Sequence, residues 1–298
     1  MKKILLATTM LAGFAGAASA EMALSGSAVM GVGGNGNDTY SLMETYVTFT
    51  GTGTTDGGLE FGLSATMATY DTDGTITSTD DDGDDATFSA FFNDGTSVYI
   101  SGAFGKLSMG SVSEADDVAG LPDIGGIGGL GVDNVAEVDN GDSLGWGHNV
   151  NYTYSAGAFT VSASADIDTD GVYAVGGKYT FGDYYVGLGF GADDNDYEHT
   201  TSLYAGGTMG AVAVKAMYSS YNYYGMGDYT SNAYGLYGAY TTGALTISAE
   251  VAANDYDSDA SFGLGAAYDL GGGATVTGGI ASINGGDLKW EAGVSMSF

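Results

Sequence analysis

The stretch Leu288-Lys289-Trp290-Glu291-Ala292-Gly293-Val294-Ser295-Met296-Ser297-Phe298 decides the fold class. Leu288, Trp290, Ala292, Val294, Met296 and Phe298 take alternate positions, with Lys289, Glu291, Gly293, Ser295 and Ser297 between them. A strand sends successive side chains to opposite faces, so this segment has one apolar face and one polar face. A helix would scatter the same residues around its axis.

The rhythm recurs upstream. Phe262, Leu264, Ala266, Tyr268 and Leu270 alternate with Ser261, Gly263, Gly265, Ala267 and Asp269. Leu245, Ile247, Ala249 and Val251 do the same, as do Val212, Val214, Ala216 and Tyr218, and Tyr184, Val186, Leu188 and Phe190. Leu59, Phe61, Leu63, Ala65 and Met67 repeat it, and so does Met22 to Val32. Short Gly-containing turns such as Thr55-Asp56-Gly57-Gly58, Phe181-Gly182-Asp183 and Leu270-Gly271-Gly272-Gly273 join many of these segments. Longer acidic connections lie between the other ends: 33–39, 71–94, 113–148, 192–196, 220–228, 254–259 and 283–287, with a tighter one at 168–171. The result is a meander of hairpins with a short-turn end and a long-loop end. It predicts an all-β fold, a transmembrane antiparallel β-barrel of about sixteen strands, with about fourteen or eighteen also compatible with the pattern.

Composition narrows the classes. Residues 1–20 read as a secretory leader: Lys2 and Lys3, an apolar stretch from Ile4, and the small-residue cleavage site Ala18-Ser19-Ala20, so that the barrel occupies 21–298. Past the leader, polar residues interrupt every apolar run short of the roughly 20 residues that a membrane helix needs. With 53 glycines and 22 tyrosines the chain favours strands over helices. It has no cysteine, so hydrogen bonding and packing alone close the fold. A soluble β-sandwich also alternates, but its outer faces carry mixed charges. Here the polar face is mostly Gly, Ser and Thr, and most segments match the roughly 9–11 residues of a membrane strand.

The formal net charge is −31. Once the leader is gone, Lys106, Lys178, Lys215 and Lys289 stand against 37 acidic residues, a balance of −33, and there is no arginine. Nucleic acid is excluded as a partner, because gripping phosphates requires a basic footprint. Catalysis has no support: the two histidines, His148 and His199, belong to no nucleophile elbow or metalloprotease motif and read as polar boundary residues.

Several stretches resemble the Gram-negative general diffusion porins, in particular the 16-stranded purple-bacterial type. They are Gly58-Leu59-Glu60-Phe61-Gly62, Ser101-Gly102-Ala103-Phe104-Gly105-Lys106, Tyr152-Thr153-Tyr154-Ser155-Ala156-Gly157-Ala158-Phe159, Tyr179-Thr180-Phe181-Gly182 and Gly263 to Ala274, together with the terminal Phe298. The resemblance covers the whole mature chain. It implies a homotrimer in outer-membrane lipid, each subunit a water-filled channel for small hydrophilic solutes, with the third long loop folded inward as the constriction.

That loop is Ser113–His148. It carries Glu114, Asp116, Asp117, Asp123, Asp133, Glu137, Asp139 and Asp142, no basic residue, and the chain's single proline, Pro122. As a pore rim it would be strongly acidic; the bland alternative is an outward surface loop. Phasing places Lys106, Lys178, Lys215, Lys289, Glu44, Glu60, Glu250 and Glu291 on the polar face, pointing into the lumen. Such residues both avoid lipid and set an internal field. The family sets an arginine cluster opposite its acidic loop, and this chain departs from that pattern. Lysine lacks the rigid planar fork, so the expectation is a weak basic side, a negative lumen and a preference for cations.

No cofactor is expected. Asp166-Ile167-Asp168-Thr169-Asp170-Gly171 matches the first half of a calcium-binding EF-hand loop. The twelfth position, however, is Gly177 where a bidentate Glu is required, so the segment reads as a hairpin turn. The acids of 71–85 could hold calcium loosely. The alternative function is a structural or adhesive barrel that conducts little. The small, glycine-rich polar face points instead to an open interior.

Overall fold

A computed structural model describes residues 21–36, 38–71, 76–79, 85–88, 92–125, 127–137, 147–195, 197–224 and 228–298. Residues 1–20, the expected leader, lie outside them. The strands are β1 (Glu21–Gly34), β2 (Thr39–Thr54), β3 (Glu60–Asp71), β4 (Ile76–Thr79), β5 (Asp85–Phe88), β6 (Phe92–Gly102), β7 (Gly105–Gly110), β8 (Val150–Ala156) and β9 (Phe159–Ala165). They continue with β10 (Val172–Phe181), β11 (Tyr184–Asp193), β12 (Glu198–Met209), β13 (Val212–Tyr223), β14 (Tyr229–Thr242), β15 (Leu245–Asn254), β16 (Ser261–Gly271), β17 (Ala274–Ser282) and β18 (Lys289–Ser297). One helical turn, α1 (Asp133–Ala136), lies between β7 and β8.

Sixteen of these strands form a closed antiparallel barrel, each paired with its neighbour along the chain. Among the described residues, strands β4 and β5 pair only with each other, a small hairpin within a connection that reads from sequence as plain loop. Closure comes from β1 and β18, in register from Ser27 opposite Ser297 to Gly34 opposite Trp290. Gly26 and Phe298 exchange backbone hydrogen bonds of 3.1 and 2.9 Å at the end of that ladder. A closed sheet leaves no strand edge unpaired, which the hydrocarbon core of a bilayer demands.

The apolar residues of the alternating pattern point outward. Leu24, Leu188 and Leu264 are 66 %, 52 % and 52 % exposed on this face. A continuous apolar outer surface is what lipid contact requires. Aromatic rings cluster at two heights. Near the short turns, Phe159, Tyr179, Phe181 and Tyr184 stack in sequence with centroids 4.5, 5.9 and 6.0 Å apart. Toward the long loops, Tyr173, Phe190, His199 and Tyr224 follow one another at 6.5, 6.0 and 5.3 Å. Tyr173 and Phe181 sit on one strand, separated by roughly 26 Å of chain at about 3.3 Å per residue. The two clusters therefore mark opposite membrane interfaces. His199 belongs to the upper one, outside the barrel.

The wall is shortest at β7, β8 and β9, which have 6, 7 and 7 residues. There the chain leaves the sheet. Gly110, at φ +103°, turns out of β7 with a backbone that other residues rarely adopt, its would-be Cβ directed at the Thr96 carbonyl. Its N–H donates to Asn149 O at 3.0 Å, so departure and return of the long connection are tied together.

Candidate functional site: an inward loop clamped to the wall

The connection between β7 and β8 folds into the barrel, and the main apolar core lies there. Leu121, Ile124, Leu130, Val132, Val135 and Ala136 pack together against Tyr204, Met217, Ala252 and Ala281 of the wall. Ile124 and Val132 are completely buried. Each such side chain contributes about 1.5–3 kcal/mol on burial. An acidic loop is thus held by an apolar underside. Its spacing, Leu121, Ile124, Ile127, Leu130, was a signal in the sequence that the acid count hid.

The glycines of the polar face are the other half of this contact. Gly176, Gly189, Gly235, Gly263, Gly279 and Gly293 lie on β10, β11, β14, β16, β17 and β18. A Cβ on any of them would come under 3.0 Å from atoms of the loop. The small inner face therefore does not mean an empty interior. It is the bed that lets the loop backbone approach the wall.

Polar wall side chains then fix individual backbone groups of the loop. Tyr204 Oη donates to Asp116 O at 2.9 Å, Lys215 Nζ to Gly120 O at 3.0 Å and Ser219 Oγ to Ala136 O at 2.6 Å. Ser164 Oγ accepts from Ala115 N at 2.7 Å, and Glu291 Oε2 from Gly128 N at 3.0 Å. Tyr40 Oη also donates to Glu291, at 3.4 Å. Within the loop, Glu137 Oε1 accepts from Leu121 N at 2.7 Å and Asp117 Oδ1 from Gly120 N at 3.3 Å.

The expected site residues divide accordingly. Glu114 and Asp117 line an opening of about 350 Å³ whose far side carries Lys106 and Lys178, with Ser108, Thr153 and Ser162 among them. The ammonium of Lys106 lies 4.3 Å from the centroid of the Tyr99 ring, and that of Lys178 5.9 Å from that of Tyr185. Asp123 is exposed. Asp116 and Asp133 are buried under the loop, as is Glu250 on the wall. Burial, and then the adjacent charge of Asp123, raise the Asp133 carboxyl to about 6. Lys215 and Glu291 serve the clamp. Glu44 accepts from Tyr46 Oη at 3.1 Å, and Glu60 from Ser101 Oγ at 3.5 Å. Glu60 sits toward the short turns and Lys289 near the long-loop end, beside Asn35, Asp38 and Asp287. Asp139 and Asp142 lie outside the described residues, as do Asp80, Asp81, Asp82 and Asp84. Among the described residues no group of three or more His, Cys, Asp or Glu side chains is arranged to hold a metal ion. The segment 166–171 is a connection between β9 and β10.

A barrel of sixteen strands with a loop clamped inside it, one polar opening beside the loop and an apolar outer face is the architecture of a membrane channel. The family model for Gram-negative porins matches residues 7–288 of the chain. The chain belongs to the Gram-negative porin family. It is 35 % identical to a porin of Rhodobacter capsulatus, over 93 % of this chain and the full length of the relative. A porin structure refined at 1.8 Å resolution superposes with a TM-score of 0.72 at 33 % identity, covering 93 % of this chain and all of the other. A triple mutant of the Rhodopseudomonas blastica porin shares the fold, with a TM-score of 0.73 at 20 % identity and the same coverage. This porin is therefore an outer-membrane channel protein and not an enzyme.

Proposed function

We propose that this porin passes small hydrophilic solutes and ions by passive diffusion, prefers cations, works without a cofactor and assembles as a trimer after loss of residues 1–20. The observation that carries the preference is the balance of charge on the inner surface: Glu114 and Asp117 on the loop meet Lys106 and Lys178 across one opening, while exposed Asp123 on the loop and Glu44 and Glu60 on the wall add negative charge. Two lysines face this rim in a chain with no arginine and a formal charge of −31. Fixed charge of one sign in excess along a narrow aqueous path enriches the opposite ion. The hydroxyl-bearing inner face of β2, β3, β8 and β9 supports passage of hydrated solutes. It carries cross-strand hydroxyl pairs, Thr48 with Thr66 at 2.9 Å, Thr153 with Ser162 at 2.9 Å and Ser155 with Thr160 at 3.1 Å. The test is the reversal potential of purified protein in a planar bilayer across a salt gradient. A potential of the sign expected for cations supports the reading, and anion preference overturns it.

A further inference from the structure

Both ends of the inward loop converge on one side chain. Ser164, on the inner face of β9, accepts the Ala115 N–H at 2.7 Å where the loop descends. The same Oγ lies 2.5 Å from Nδ1 of His148, where the loop returns to the wall. Ala115, Ser164 and His148 are all buried. Oγ accepts from Ala115 and can still donate its own proton, and the arrangement that gives every one of these buried groups a partner is the one in which that proton goes to a bare Nδ1 of neutral His148.

Protonation of His148 would reverse that bond. Nδ1–H would become a donor, the serine oxygen would accept twice, and the serine proton would be left buried without an acceptor. A cation would also be placed where little water reaches, and a buried polar group without a partner is disfavoured as strongly as a lost hydrogen bond. The groups facing the ring are few. Asp166, in the β9–β10 connection, favours the imidazolium, but its Oδ1 already accepts from Asn149 Nδ2 at 2.6 Å. Asp168 accepts from the same amide at 3.0 Å. Glu114 precedes Ala115 on the descending segment. Burial outweighs Asp166, and the imidazole is held below its ordinary value of 6.5.

We propose that His148 and Ser164 form a proton-operated clasp at the base of the inward loop: neutral His148 holds both loop ends to β9, and its protonation releases them. The proposal rests on the channel reading above. Its sign follows from the preference for the neutral form. The clasp is complete above the ordinary histidine range and is lost as pH falls through the lower value of the folded state.

Open-channel current in planar bilayers reads the clasp as brief interruptions. The test is made in Asp133→Asn protein, so that the loop's own buried acid does not contribute. We expect quiet current at pH 8 and interruptions that multiply below pH 6.5, by up to about tenfold per pH unit, the limit for a single proton. Adding His148→Gln, whose amide oxygen can still accept from Ser164, should give quiet current at every pH. Adding Ser164→Ala should give frequent interruptions at every pH. Heat-modifiable gel migration confirms that each barrel is folded. Interruptions that keep their pH dependence in His148→Gln, or a quiet Ser164→Ala channel, would overturn the clasp. A folded protein that carries no current at all would overturn the channel reading instead.

Discussion

The ammonium of Lys215 donates to the carbonyl oxygen of Gly120 at 3.0 Å, so one of the four lysines beyond residue 20 belongs to the seat of the loop and not to the path of ions. Lys215→Met should therefore loosen the loop while leaving ion preference nearly unchanged. A hydrogen bond from a charged donor is worth about 1.5–3 kcal/mol. Lys106→Gln and Lys178→Gln should do the reverse, strengthening cation preference with little added current noise. Reversal potentials and open-channel noise separate the two outcomes, and equal shifts in all three variants would contradict the division.

Gly263 faces Ile124 and Val132, both fully buried. Gly263→Val should push the loop off its bed without disturbing the pairing of β16. The expected result is a folded barrel with altered, fluctuating conductance. Ile124→Ala should weaken the same contact from the other side, by about 2–5 kcal/mol of seating energy. Wild-type currents from folded Gly263→Val protein would show that the glycine bed is not needed.

Asp133 gives the loop a second dependence on pH, of opposite sign to the histidine. Its carboxyl is raised from 3.8 to about 6 by burial and by Asp123, so the seated loop binds the proton more tightly than a released one. That contribution is complete below the ordinary 3.8 and is lost as pH rises through about 6. Asp133→Asn should remove the part of the noise that grows as pH rises from about 4 to 6, leaving only the opposite, histidine-driven growth as pH falls below 6.5. A profile unchanged across that range would refute the assignment.

The long-loop rim is tied by amides where other proteins would use cations. Asp257 Oδ2 accepts from Asn254 Nδ2 at 3.1 Å and from Asn284 Nδ2 at 2.6 Å, linking two neighbouring connections. Asp255 accepts from the backbone and side-chain nitrogens of Asn232, each at 2.8 Å, and these bonds hold its carboxyl below the usual range. Such bonds need no counter-ion, so amide exchange in 254–259 and 283–287 should be insensitive to chelator and to added salt. Protection should persist above the ordinary value of 3.8 and fail only as pH drops through the lower folded one. Loss of protection in chelator would show that a bound cation orders the rim.

The barrel itself was legible in the sequence because alternation is a direct consequence of strand geometry, and Leu288 to Phe298 carries it without interruption. The hairpin order and the length of the third connection were legible for the same local reason. What stayed hidden depends on contacts between residues far apart in the chain. Ser219 looks like any hydroxyl on a water-facing wall, yet it holds Ala136 across 83 positions. Glu291 reads as a pore charge, yet it receives the N–H of Gly128. The inner glycines suggested emptiness, when their lack of side chains makes room for the loop. Leu121, Ile124, Ile127 and Leu130 carried the clue, a three-residue apolar spacing inside a segment whose acids drew all the attention.

The pairing of β1 with β18 has a consequence for assembly. The two strands that seal the cylinder stand at opposite ends of the strand order, so closure waits for the nine residues of β18 to pair with β1. Until they arrive, any growing sheet carries two bare edges, each a template for pairing with another chain. Sealing also brings together segments separated by nearly the whole chain, the kind of distant pairing that forms slowly. A truncation within β18 should therefore leave a curved, open sheet prone to association, and the terminal residues act as the latch that turns a sheet into a pore.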